Sequence, residues 1–205
     1  LYLGSGVATG GRGGMVSISV GSGTSGSGGA LSALSGRSTV RSGGALSLET
    51  GEGTATSSGV ISIRSANAGS LGVSGRLVFS SGSASGGNSG ALFVGSGVAT
   101  GGRGGMVSIS VGSGTSGSGG AMSVLSGWST AATGGALSVQ SGEGEGTAST
   151  SGSIVIRSAN SGATGVSGRL VFSSGSASDG NSGALYLGSG VATGGRGGMV
   201  SISVG

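Results

Sequence analysis

The sequence contains no cysteine, no proline and no histidine, and its nine basic residues are all arginine. Without cysteine there is no disulfide framework and no thiolate metal site, and without histidine there is no imidazole base or ligand. The lack of proline removes the residue that would interrupt a ladder of backbone hydrogen bonds. Aromatic residues make up 3% of the chain and charged residues 7%, the acids being only Glu49, Glu52, Glu143, Glu145 and Asp179. What is present instead is 55 glycines and 47 serines, about half of the 205 residues. Such a composition is first read as a flexible linker. Yet 34% of the residues are hydrophobic, whereas disordered chains combine low hydrophobicity with high net charge. The length suits one elongated domain or two compact ones. The order of the residues decides.

That order is repetitive. The string LYLGSGVATGGRGGMVSISVG occupies residues 1–21 and recurs unchanged at 185–205, and residues 92–112 differ from it only at Phe93 and Val94. Long repeats therefore span 1–91 and 92–184, followed by a partial copy at 185–205. Within each lies a shorter unit of about 15 residues, starting at Met15, Ala30, Ala45, Val60, Arg76, Ala91 and Met106 and continuing in the second copy. Six short units make one long repeat.

Numbering the places within a unit exposes its chemistry. Place two holds Val16, Leu31, Leu46, Ile61, Leu77 and Leu92, and place four holds Ile18, Ala33, Leu48, Ile63, Phe79 and Val94. Place three between them is mostly Ser. This alternation has the period of a half-buried strand, and not the 3.6-residue period of a helix. Place seven is Gly in most units, as at Gly21, Gly36 and Gly51, and the unit usually ends in Gly, as at Gly14, Gly29 and Gly44. Glycine reaches backbone angles closed to other residues, so both places read as corners. Between them runs a stretch of small residues with Thr or Ser near place ten, as at Thr24, Thr39, Thr54, Ser85 and Thr100.

Strand, corner, strand and corner in a unit of constant length predict an all-β fold. The expectation is a parallel β-solenoid, or β-helix, with ~15-residue rungs and a flattened two-sided cross-section. Each rung would advance about 4.8 Å, so six rungs would cover roughly 29 Å. Residues 1–205 would form one continuous solenoid without capping rungs, as in a window cut from a longer array or a unit stacking end to end.

On such a rod the odd places face solvent. Val78 and Phe93 hold place three in consecutive units, Val171 and Tyr186 repeat the pair, and Tyr2 holds the same place again. A recurring exposed apolar pair marks a lateral assembly patch, extended by Leu34, Leu125 and Trp128. Glu49 and Arg64 share place five in neighbouring units, and Arg37 and Glu52 share place eight. Stacked opposite charges of this kind would aid register by about 0.2–1 kcal/mol. In the second copy Glu49 becomes Gln140 and Arg37 becomes Trp128, so the pairs are register aids and no site.

Motifs with chemical associations fall away on inspection. Residues 21–26 and 112–117 match G-x-G-x-x-G. They lack the following helix and the acidic residue about 20 positions on that a dinucleotide site needs. The Gly-Arg-Gly-Gly strings at Arg12, Arg103 and Arg196 lack interleaved aromatics for stacking, and nine arginines form no basic stripe. No nucleic acid is expected as a partner, although a row of arginines suits an acidic polysaccharide. Serine has no His or Lys to activate it. The five acids are too few for calcium-binding β-rolls and form no repeated pair for glycoside hydrolysis. Thr-x-Thr of the ice-binding type occurs only at Thr54-Ala55-Thr56. No catalytic residue, metal site or cofactor is expected, nor direct membrane insertion.

With units such as GGALSLETGEGTATSS at 43–58 and GGMVSISVGSGTSGS at 13–27, the whole chain resembles the Gly/Ser-rich tandem-repeat surface proteins of microbes and algae, β-solenoid fibres and adhesin stalks. The resemblance implies a structural protein at the cell surface or outside the cell, assembled with copies of itself into a fibre or filament. An adhesin-type module that binds ice or glycans is the alternative.

Overall fold

A computed structural model describes residues 1–145, 147 and 149–204. It divides into two units, Leu1–Val107 and Ser108–Gly205. The described residues form neither strand nor helix. This overturns the expected parallel β-solenoid: among the described residues no rung is bonded to the next, and there is no ladder, sheet or two-sided core. The accessible surface is 20143 Å² for a chain of 18.4 kDa. A compact chain of that mass would expose about 8,200 Å² and an extended one about 26,700 Å². No described side chain is buried.

The short unit is nevertheless written into the backbone. In the first unit of the structure, the Gly14 amide donates to the Gly6 carbonyl (3.2 Å), Gly29 to Gly21 (3.1 Å), Gly44 to Gly36 (2.8 Å) and Gly59 to Gly51 (3.1 Å). In the second, Gly120 donates to Gly112 (3.1 Å), Gly135 to Gly127 (2.8 Å) and Gly152 to Gly142 (2.9 Å). Each bond ties the last glycine of a unit back to place seven of the same unit. The chain thus closes a local loop where a solenoid would have joined neighbouring rungs. At the far side of the loop the backbone bends, over residues 24–26, 39–41, 54–56, 115–117 and 130–132. These are places ten to twelve, where a second strand was expected.

The glycines act by size and not by backbone angle. None of the described glycines has a φ in the left-handed range, so the angular freedom of glycine is not what places seven and fifteen use. A Cβ on Gly29 would stand 2.5 Å from Val20 Cγ1, and one on Gly120 would meet Val111 Cγ1 at the same distance. A Cβ on Gly14, Gly105 or Gly198 would lie 3.0–3.1 Å from the Cβ of Ser5, Ser96 or Ser189. The last glycine of a unit therefore lies against the residue at place six, and its missing side chain permits the approach. Place seven differs, since a Cβ added to Gly21, Gly36 or Gly112 meets nothing within 4 Å.

Two devices trim the loops. Ser38 Oγ accepts from the amides of Val40 (3.4 Å) and Arg41 (2.9 Å), and Ser129 Oγ accepts from Ala131 (3.3 Å) and Ala132 (3.0 Å). A serine hydroxyl here bonds backbone two and three residues on, as in a side-chain-supported turn. The other device replaces the loop closure altogether. Over residues 60–75 and 153–168 a tight turn forms instead, with the Gly72 amide on the Gly69 carbonyl and the Gly165 amide on the Gly162 carbonyl, both 3.2 Å.

The failure of the solenoid expectation has a physical basis. Alternation fixes which side chains share a face of an extended segment, but it does not name the partner of that segment. Here the nearest partner is the same unit, eight residues away at the loop neck, and closing a short loop costs less chain entropy than pairing across a whole unit. Abundant Gly and Ser also weaken strand propensity.

Candidate functional site

Exposure separates single residues and not the alternating places, since Val78 and Val171 at place three are less exposed than Leu48 and Val94 at place four. Val16, Leu77 and Leu170 at place two are about half exposed, whereas Phe93 and Tyr186 at place three are each 91% exposed. Tyr2, Val78 and Val171 are exposed as well, and so are Trp128, Leu34 and Leu125. Val20 and Val111 at place six are among the most sheltered aliphatics, each lying over the final glycine of its unit. The residues assigned to lateral assembly are thus accessible, and the aliphatics assigned to a core are accessible too. Sequence reasoning missed this second set as a surface because it placed them inside a rod.

Glu49, Arg64, Arg37 and Glu52 are exposed. Their assignment as inter-rung pairs depended on stacked rungs, and without rungs it loses its geometric basis. The Thr column of the ice-binding alternative lies at loop bends, at Thr24, Thr39 and Thr54, with no sheet to hold it flat.

One feature appears in both long repeats that the sequence did not single out. Arg64, Ser65, Ala66 and Asn67 line a recess of about 280 Å³, and Arg157, Ser158, Ala159 and Asn160 line one of about 230 Å³. Both sit just before the tight turns at 69–72 and 162–165. The lining supplies a guanidinium, a hydroxyl and a carboxamide, and contains no acid. The only signal in the sequence was the recurring string Arg-Ser-Ala-Asn in the units lengthened to 16 residues.

Among the described residues no three of His, Cys, Asp and Glu gather as metal ligands, and no helix is long and apolar enough to cross a membrane. No protein-family model matches the sequence, and no curated protein or solved structure matches it either.

Proposed function

We propose that the chain is a structural protein, a segment of an extracellular or cell-surface fibre or filament whose tandem repeats associate with copies of themselves. The observation that carries this reading is the exposure of every described large aliphatic and aromatic side chain on a repeating 15-residue grid. Apolar surface gains about 25 cal/mol for each Å² removed from water, and extended apolar surface on a soluble chain marks an interaction site. A chain without a core has this gain still to make. Copies of the same sequence offer the same grid, so contacts formed in one repeat recur in the next and their energies accumulate as in other repeat arrays.

Phe93, Tyr186, Val78 and Val171 are the outward contacts, and the place-two and place-four aliphatics add to them. Replacing Phe93→Ser and Tyr186→Ser together is expected to raise the concentration needed for assembly by about tenfold, because two exposed aromatics would no longer bury their rings. Static light scattering of the full chain against concentration measures this. Identical scattering curves for the variant and the parent would remove the aromatic patch from the interface. The extracellular placement rests on the resemblance to surface repeat proteins, and immunogold labelling of intact cells tests it.

A further inference from the structure

We propose that the recesses at Arg64–Asn67 and Arg157–Asn160 are carbohydrate subsites that each receive one carboxylate-bearing ring of an acidic polysaccharide. The two recesses are built from the same four residue types and sit beside the same kind of tight turn, one in each long repeat. Their lining is polar and cationic, without an acid to neutralise the arginine and without an aromatic residue to stack a base. At about 280 and 230 Å³, they fall just below the ~300–1,000 Å³ of ordinary small-molecule pockets. That volume suits one ring of a polymer better than a whole ligand.

The chemistry selects the ring. A planar guanidinium matches a planar carboxylate through two parallel charge-assisted hydrogen bonds. The Ser65 or Ser158 hydroxyl and the Asn67 or Asn160 carboxamide then donate to, or accept from, ring hydroxyls. Arg64 has Glu49 at the same place of the preceding unit, but the equivalent of Glu49 beside Arg157 is Gln140. The arginine and its recess thus occur in both repeats, whereas the acid that was its expected partner does not. That distribution separates the recess from a register role.

Full-length protein titrated with polygalacturonate in low salt, and with neutral dextran beside it, tests the proposal. The double variant Arg64→Gln/Arg157→Gln is expected to lose about tenfold or more in affinity, from the loss of a charge-assisted pair at each site. Arg12→Gln/Arg103→Gln removes the same charge outside the recesses and should change affinity by about twofold at most. Asn67→Ala/Asn160→Ala leaves the charge intact and should still weaken binding by severalfold. Equal losses in the two arginine pairs would mean diffuse charge and overturn the proposal. An unchanged asparagine pair, equal binding of dextran, or no binding by the parent chain would overturn it as well.

Discussion

A glycine is required either for the backbone angles it reaches or for the room left by its missing side chain. In this chain only the second role applies, and only at some positions. Gly29 and Gly120 end their units against Val20 and Val111, where a methyl group would collide, whereas Gly21 and Gly112 face open space. The sequence shows Gly at both places with similar regularity, so spacing alone does not distinguish them. Only the packing of place six on the last glycine does. Gly29→Ala is therefore expected to abolish the nuclear Overhauser contact between the Val20 methyls and residue 29. Gly21→Ala should keep it. Loss of the contact in both variants, or in neither, would show that the approach does not depend on the missing side chain.

At the scale of the element, units such as those ending at Gly29, Gly44, Gly120 and Gly135 are locally closed loops. The alternation at places two and four was legible in the sequence, but exposure does not preserve it, since Val78 and Val171 at place three are less exposed than Leu48 and Val94 at place four. The partner of that segment was not legible, because a period-two pattern is indifferent to whether the chain pairs with the next unit or folds on itself. The bend was hidden for a related reason. Ser, Thr and Gly at places nine to twelve suit a small-residue strand as well as a turn, and Ser38 Oγ decides the matter by accepting from Val40 and Arg41. Ser38→Ala should speed amide exchange at Arg41 by about fivefold, a typical effect for one exposed hydrogen bond. No change in exchange would remove the hydroxyl from the turn. Far-ultraviolet circular dichroism of the dilute chain should carry no β-sheet signature, and a strong one would reinstate paired strands. The recess is the least legible part of the candidate site, since Arg64 and Asn67 look like ordinary outward residues until the turn at 69–72 brings their surroundings into view.

At the scale of the whole molecule, two kinds of surface are available, and they respond differently to salt. Net charge is +4, carried by nine arginines against five acids. Binding of a polyanion at the arginine recesses should weaken as the screening length contracts with added salt. Association through the aliphatic and aromatic grid should persist under the same conditions, because burial of apolar surface does not depend on Coulomb attraction. The Gly and Ser half of the composition supports both. Its small side chains leave the apolar residues uncovered and the arginines at Arg64 and Arg157 accessible. The measurement that bears most directly on the structural role is sedimentation velocity of the full chain over a wide concentration range in high salt. Copies that bury one another's exposed aliphatics would give species larger than the monomer that grow with concentration, and Phe93→Ser/Tyr186→Ser would shift them to higher concentration. A single monomeric boundary at every concentration would contradict self-assembly.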